Sequence, residues 1–438
     1  MSKKIISPFR GLHYNPLKIK NFAEVMAPPY DVIDEAYREK LYARHPQNVV
    51  KLILTQEEDG KILGLNKYEM AAKYLQDWQK QELLVQDAQP QLYLYHQTYT
   101  LADGRALTRK GFIARRRLEP FDEGKIRPHE YTFAGPKADR LQLIKSTQTN
   151  LSAIFGIFSD AQRQVMKNFD KALTQKPLMD LVTDDGNRHQ VWAVGDLQIH
   201  EQVNTLMQDK ITFIADGHHR YETALNYRDY CLQNVPSSQS DPAYNFVMMY
   251  LCPMEDEGLV ILPTHRVLDV AVPLNLEAAL QKLSQNFEIK KFAKANKAAA
   301  LQELQQVGAN KLGFILSSKE ALNLIQISFE KLAKISALAS LSAPVRELDV
   351  TVLHHYLLPE IFEINLHEGD EVKKIHYVKD TQEALEAPEK GQASLSFILN
   401  PTQMKQVEAI SNIGERMPHK STFFYPKLLS GLVFNPLD

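Results

Sequence analysis

Residues 211–222, ITFIADGHHRYE, constrain the fold of this chain more than any other stretch. The first five are apolar or β-branched, which is typical of a short buried strand. Gly217 permits a tight turn, and apolar residues from Tyr221 onward recur at helical spacing. The sequence therefore predicts a strand, a sharp turn and a helix that is capped by Asp216.

The predicted first turn of this helix is rich in groups that bind anions. A helix N-terminus leaves N–H groups unpaired and carries partial positive charge, which suits phosphate. His218, His219 and Arg220 lie in that same turn, directly after Gly217. We interpret the turn as a phosphate-binding site, and the alternative is a surface helix with a polar first turn.

Residues 215–222, ADGHHRYE, resemble the hallmark of a large bacterial and archaeal family catalogued as a domain of unknown function. Further segments that resemble the same family are 27–33, 128–132, 137–140, 263–266 and 417–427. More distantly, residues 216–220 are similar to the nucleotide-phosphate motif of the ParB/sulfiredoxin superfamily, especially that of the free serine kinases, which phosphorylate the amino acid serine. This resemblance implies a nucleotide-binding core of the ParB/sulfiredoxin type.

Length and composition exclude several classes of protein. The chain has 438 residues, enough for two or three domains, and a net charge of −2, which argues against nucleic-acid binding. Two cysteines support neither a disulfide framework nor a zinc site, so the cytoplasm is the expected setting. No apolar run approaches the length of a membrane span.

The order of predicted elements indicates an α/β fold, with α+β as the alternative. We expect a ParB/sulfiredoxin-like core within residues 1–270, interrupted near 88–200 by an insertion rich in β-hairpins. Residues 271–438 are expected to form a second α/β region whose tail returns to the site. Residues 49–54 read as a strand and residues 64–82 as an amphipathic helix.

Polar residues outside the central motif are further site candidates. His129 and Glu130 are candidates for acid–base catalysis or metal binding, and Lys137 and Arg140 for anion contacts, although a polar loop of this kind can also be plain surface. Further candidates, each with a purely structural alternative, are Arg10, Tyr30, Asp31, Thr264, His265, Arg266, Lys420, Ser421, Thr422 and Lys427.

These patterns lead to two functional hypotheses. In the first, the protein is a nucleotide-dependent phosphotransferase that acts on a small molecule, with a free amino acid such as serine as the expected acceptor. Gly217 to Arg220 would hold the phosphates of ATP, ADP or another nucleotide, and Asp216 would bind Mg²⁺ or orient the acceptor hydroxyl. In the second, the protein is a nucleotide-binding switch without useful turnover.

A partition-type DNA-binding protein is a third possibility, which the near-neutral composition disfavours. The sequence leaves the acceptor, the nucleotide and the oligomeric state open.

Overall fold

The computed structural model describes residues 4–122, 124–132, 134–234, 240–270, 275–308, 310–364 and 374–437. Its strands are β1 Ile6–Ser7, β2 Leu12–Tyr14, β3 Leu84–Gln86, β4 Leu92–Thr100, β5 Ala106–Arg117, β6 Ile126–Arg127, β7 Thr149–Asn150, β8 Ile154–Phe158, β9 Met179–Val182, β10 Arg188–Val194, β11 Thr212–Asp216, β12 Phe246–Pro253, β13 Val260–Leu262, β14 His265–Leu268, β15 Glu288–Ala293, β16 Lys311–Ser317, β17 Ala321–Ser328, β18 Ile375–Val378, β19 Leu395–Ile398, β20 Phe423–Tyr425 and β21 Asn435–Pro436.

The α-helices are α1 Phe22–Val25, α2 Glu35–Arg44, α3 Val50–Ile53, α4 Glu57–Lys61, α5 Lys67–Lys80, α6 Ala134–Thr147, α7 Leu197–Met207, α8 His218–Asn234, α9 Leu276–Ser284, α10 Lys297–Gln305, α11 Phe329–Leu332, α12 Ala343–Arg346, α13 Asp349–Val352, α14 Thr381–Glu386 and α15 Met404–Asn412. Short 3₁₀ segments are Tyr30–Val32, Met166–Thr174, Ala243–Asn245, Lys294–Asn296 and Ser336–Leu338, and a π-helical segment spans Leu353–Ile361.

The chain divides into two compact units. The first unit comprises residues 1–128, 132–260 and 426–438, and the second comprises 129–131 and 261–425. This division falls between residues 260 and 261, whereas the sequence placed a boundary near 270. It also assigns the last thirteen residues, 426–438, to the first unit.

The first unit is built on a mixed sheet, to which the described residues contribute nine strands in the order β6-β11-β8-β12-β5-β4-β10-β9, with β1 beside β5. The pairs β6–β11 and β8–β12 are parallel, and the other pairs are antiparallel. Tyr221 and Ala224 of α8 are buried in one apolar cluster with Ile214 of β11. This packing fixes α8 against the sheet that carries β11. Residues 88–200, which we expected to form an insertion, supply six of these strands.

The second unit has its own sheet, in which the described strands follow the order β15-β17-β16-β19-β14-β18. All five strand pairs of this sheet are antiparallel. Helices alternate with these strands along the chain, as predicted for the C-terminal region. The mixed α/β class predicted from the sequence is confirmed.

The prediction of a strand at residues 49–54 is wrong. Residues Val50–Ile53 form α3, and the side chain of Asn48 accepts a hydrogen bond from the N–H of Val50 at 2.9 Å. A short apolar run is equally compatible with a buried strand and a buried helical turn, and here the asparagine before it favours the helix. The predicted helix at 64–82 is confirmed as α5, where Asn66 and Glu69 form a capping box.

None of the helices in the described ranges combines the length and the hydropathy needed to cross a bilayer.

Candidate functional site

The predicted strand, turn and helix at residues 211–222 are confirmed by β11, Gly217 and α8. The pairing of β11 with β8 is irregular between Ile214 and Asp216. A register shift of this kind can redirect nearby side chains, and Asp216 is the first paired residue after it. Gly217 adopts a φ of +94°, in the left-handed region that favours glycine, and α8 begins at the next residue.

Asp216 lies between two cations, and both of its carboxylate oxygens are occupied. Oδ2 accepts a hydrogen bond from Nη2 of Arg220 at 2.7 Å, and Oδ1 is paired with Nζ of Lys427. All three side chains are about 13–14% exposed. Burial acts to raise the pKa of Asp216, but the charges of Lys427 and Arg220 outweigh it and hold that pKa well below its usual range. Asp216 is therefore ionised, and it is an ion-pair partner more than the helix cap that the sequence predicted.

Gly217 leaves the space that the guanidinium of Arg220 occupies. A Cβ atom at Gly217 would lie 2.9 Å from Nη2 of Arg220 and 3.0 Å from its Cζ. The guanidinium has little freedom to move away, since it is held by Asp216 and by the carbonyl of Ala153.

We therefore expect Gly217→Ala to lower the free energy of unfolding by more than the left-handed backbone alone would cost. Backbone strain of this kind amounts to about 1–3 kcal/mol. Gly104→Ala is the matched control, because Gly104 has a φ of +85° and an added Cβ would meet no atom within 4 Å. Urea unfolding of both variants measures the difference. Equal losses in the two variants would show that Arg220 tolerates a side chain at Gly217.

Mg²⁺ does not fit Asp216 in this arrangement. Protein sites for Mg²⁺ usually offer one or two carboxylates, with water and phosphate oxygens completing an octahedron. Both oxygens of Asp216 already face cations, and a third cation would have to displace Lys427 or Arg220. The described residues contain no cluster of three or more His, Cys, Asp or Glu side chains that could hold a metal ion. The role of metal ligand predicted for Asp216 is therefore not supported by its donor set.

A recess with about 520 Å³ of empty space, part of it open to solvent, lies beside this ion-pair group. Tyr30, Arg140 and Arg220 line it, together with Thr223 of α8. The guanidinium of Arg140 lies 4.4 Å from the centre of the Tyr30 ring. Burial raises the pKa of Tyr30, and the nearby charge of Arg220 acts to lower it. The rest of the wall is mainly apolar, with the polar residues Thr149, Asn150 and Ser152 beside Ile53, Leu143, Ile144, Leu151, Ile154 and Val247.

Arg140 and Lys137 are both neutralised by carboxylates. Arg140 donates through Nε to Asp139 at 2.8 Å and through Nη1 to the carbonyl of Ile53 at 2.7 Å. Lys137 donates to Glu222 of α8 at 2.6 Å. These contacts fix the orientation of both side chains.

The remaining site candidates of the first unit range from buried to exposed. His218 is buried, and its proximity contributes to the lowered pKa of Asp216. His219 is partly buried in the same turn, and Asp31 is exposed next to Tyr30. Arg10 is also exposed, and its Nε donates to the carbonyl of Asp87 at 2.9 Å. Within the residues that the structure describes, no contact joins Arg10 to Asp216.

A second group of candidates lies in the second unit. His129 is fully buried, and its Nε2 lies 2.9 Å from Oγ1 of Thr422. Oε1 of Glu130 accepts hydrogen bonds from the N–H of Ser421 at 3.2 Å and from both the N–H and the hydroxyl of Thr422 at 3.3 and 3.2 Å. These bonds hold the segment 421–422 at residues 129–130, which gives Glu130 a structural role. The acid–base role of the pair stays a prediction.

Arg266 fixes the neighbouring turn. It is fully buried on β14 and donates to the carbonyls of Thr264, His419 and Lys420, at 3.2 and 3.0 Å for the last two. Burial lowers the pKa of Arg266 to about 10. Lys420 is exposed and adopts a φ of +58°. Arg266 thus donates to three main-chain carbonyls, and its Nε donates to Nε2 of His354 at 3.2 Å.

His265 of β14 is a satisfied buried histidine. Its Nδ1 accepts the N–H of Leu399 at 3.2 Å, and its Nε2 lies 3.0 Å from Oγ1 of Thr381. Burial lowers its pKa to about 4, so it is neutral near pH 7. This arrangement matches the structural alternative that we raised for the end of this strand.

Sequence reasoning missed three residues that shape the first-unit group. Asp139 and Glu222 lie in the family-like segments 137–140 and 215–222. No local sequence pattern indicates that they pair with Arg140 and Lys137. Thr223 lies three positions after Arg220, and this spacing places both on one face of a helix. That spacing was the one signal by which Thr223 could have been found.

Three solved structures show a distant likeness to this chain. A free serine kinase in complex with AMP is 12% identical, with 72% of this chain and 86% of that chain covered at a TM-score of 0.34. SbnI with a C-terminal truncation, from Staphylococcus aureus, is 11% identical, with 73% and 87% covered at 0.36. A conserved hypothetical protein from Pyrococcus furiosus is 14% identical, with 73% and 92% covered at 0.32.

No curated protein matches the sequence. The profile of the family described as protein of unknown function (DUF1015) matches residues 6–351, and the chain belongs to that family.

Proposed function

We propose that this protein is a nucleotide-dependent phosphotransferase that acts on a small molecule, most specifically a free amino acid such as serine. One observation carries the proposal: a buried carboxylate, Asp216, is held between Arg220 and Lys427 at the first turn of α8, beside an open recess. The choice of an amino acid as acceptor rests on the similarity of residues 216–220 to the motif of the free serine kinases.

The charges of this group suit a phosphate. Arg220 and Lys427 together carry two positive charges and Asp216 one negative charge, so one positive charge is in excess. The N-terminus of α8, a helix of 17 residues, adds partial positive charge and N–H donors at the same place. A phosphate that binds at Gly217 to His219 would meet these N–H groups together with the two side-chain cations.

The same residues have distinct tasks during transfer. Phosphoryl transfer depends on positioning and on neutralising the oxygens of the transferred group, with little covalent chemistry left to the protein. Arg220 and Lys427 neutralise those oxygens. As they turn toward the phosphate, an oxygen of Asp216 is released to accept a hydrogen bond from the acceptor hydroxyl. The hydroxyl oxygen then bonds to phosphorus, the bond to the leaving phosphate breaks, and the hydroxyl proton leaves through Asp216 or to water.

The depressed pKa of Asp216 decides which part of this task it can perform. A carboxylate held well below its usual pKa is a weak base, so Asp216 orients the hydroxyl and does not remove its proton in advance. The release of one cation to the phosphate moves that pKa back toward its usual value. Nucleotide binding therefore prepares Asp216 for the acceptor.

A transfer screen tests the proposal. Purified protein would be incubated with ATP, ADP, CTP or GTP and with a panel of free amino acids, with Mg²⁺ and with EDTA, and products would be identified by mass spectrometry. We expect a phosphorylated amino acid to form with at least one nucleotide. Tight nucleotide binding without any product would instead support the nucleotide-binding switch. A protein that binds none of the nucleotides would contradict both hypotheses.

Arg220→Met should weaken nucleotide binding while the fold is retained. A hydrogen bond to a charged group contributes about 1.5–3 kcal/mol, so its loss should raise the Kd for nucleotide by about 10- to 150-fold. Calorimetry measures the affinity. Arg228→Met on the same helix is the control, because Arg228 pairs with the exposed neighbour Asp229 and should leave the Kd unchanged. An unaltered Kd in a folded Arg220→Met protein would remove Arg220 from the phosphate site.

A further inference from the structure

The recess beside Arg220 contains a buried polar group that none of the described residues satisfies. Thr223 is 3% exposed and lines the recess, and its hydroxyl has no hydrogen-bond partner within the described part of the chain. Most threonines in helices can bond to a carbonyl of the preceding turn, and leaving such a group unpaired in the interior costs free energy. A ligand that offers a hydrogen-bonding atom at this position would remove that cost.

The charges around the recess do not favour a free amino acid as its occupant. Arg140 is bound to Asp139 and to the carbonyl of Ile53, and Arg220 is bound to Asp216 and to the carbonyl of Ala153. A free amino acid would bring a carboxylate and an ammonium group close together, and each would need a partner of opposite charge. The mainly apolar wall suits an uncharged body with few polar atoms.

The shape of the polar wall favours a flat ring. The guanidinium of Arg140 lies over the ring of Tyr30, and stacking on aromatic and guanidinium planes is a common way to bind nucleobases. Thr223 and Arg220 are three residues apart on α8, so the recess begins within one helical turn of the phosphate site.

We infer that this recess binds the nucleobase of the nucleotide, with the ring against the apolar wall and the Thr223 hydroxyl hydrogen-bonded to it. The inference rests on the proposed function, because that function places the nucleotide's phosphates at the first turn of α8. Under this assignment the acceptor amino acid enters from elsewhere and not through the recess.

The test compares a nucleotide with its phosphate chain alone. Calorimetry would give the Kd of ATP and of inorganic tripolyphosphate for the wild-type protein and for Thr223→Val, which keeps the shape of the side chain and removes the hydroxyl. We expect wild type to bind ATP at least tenfold more tightly than tripolyphosphate. Thr223→Val should weaken ATP roughly 2- to 12-fold, as expected for one hydrogen bond, and leave tripolyphosphate unchanged. Thr205→Val, at an exposed threonine of α7, is the control.

Each other result has a definite meaning. Equal affinities of wild type for ATP and tripolyphosphate would overturn the nucleobase assignment and leave the phosphate site standing. ATP binding that is unaltered in a folded Thr223→Val protein would overturn the role of the recess in the same way. If wild type binds neither ligand, the proposed function fails and the inference fails with it.

Discussion

Replacement of Asp216 by asparagine should abolish most phosphoryl transfer and also lower the stability of the first unit. The carboxylate is the common partner of Arg220 and Lys427, and all three side chains are about 13–14% exposed. Removing one member of a buried ion pair leaves uncompensated charge, at a cost of about 3–5 kcal/mol. Transfer should fall by orders of magnitude, because the amide cannot take the acceptor proton and binds its hydroxyl less strongly.

A second variant separates these two effects. Asp216→Asn alone leaves this group with a net charge of +2. Combined with Lys427→Met, it removes one anion and one cation, so the net charge of the group returns to the wild-type value of +1. We expect the double variant to recover much of the stability that the single variant loses, and to remain inactive in transfer. Urea unfolding and the transfer rate would be measured for both. Asp209→Asn is the control for a change of charge alone, since the Asp209 side chain is 98% exposed.

The outcome also distinguishes the ion pair from a helix cap. Asparagine caps a helix about as well as aspartate, so a capping role predicts almost no loss of stability in Asp216→Asn. Wild-type stability together with a wild-type transfer rate would contradict both the ion-pair role and the catalytic role.

The sequence predicted what is local in this site. The strand, the glycine turn and the helix at residues 211–222 follow from side-chain periodicity and from one residue that tolerates a positive φ. The ion pair between Asp216 and Lys427 is not local, because Lys427 lies 211 positions further along the chain. No local pattern reports such a pair. Lys427 could be predicted as a phosphate-compatible donor, but its contact with Asp216 depends on how residues 426–438 return to the first unit.

The same limit explains the candidates whose contacts are structural. The sequence shows that Glu130 and Arg266 are polar residues near predicted element ends, which is also where ligands bind. It does not show that main-chain groups will satisfy them, as the N–H groups of residues 421–422 do for Glu130 and the carbonyls of residues 419–420 do for Arg266. Main-chain partners have no residue-type signature, so a satisfied charge and a catalytic one look alike in the sequence.

Acidification from about pH 6.5 to pH 4 should destabilise the first unit strongly. His96 and His189 are buried there, and burial lowers the pKa of each to about 4. In the unfolded chain a histidine has a pKa of about 6.5. Between these values the unfolded chain binds a proton at each histidine and the folded unit does not, so stability falls as the pH falls. Each histidine contributes about 1.4 kcal/mol per pH unit, offset in part by Asp256, whose pKa is raised by burial.

The second unit should respond much less over the same range. His265 acts in the same direction, with a pKa lowered to about 4, but burial raises the pKa of Asp349 to about 6. A carboxyl with a raised pKa takes up its proton in the folded state first, which adds stability as the pH falls from 6 toward 4. The two contributions have opposite signs and similar size, so they nearly cancel.

The tryptophans make this difference measurable. The chain has two, Trp78 and Trp192, and both belong to the first unit, so their fluorescence reports on that unit alone. Urea unfolding followed by fluorescence at pH 8, 6 and 5 should show a falling midpoint, and His189→Gln should reduce the slope by about 1.4 kcal/mol per pH unit. At pH 8 histidine is neutral in both the folded and the unfolded state. The difference in the free energy of unfolding between His189→Gln and wild type at that pH is therefore the reference for the lower pH values. A slope that is the same in His189→Gln and wild type would show that His189 does not take up its proton on unfolding.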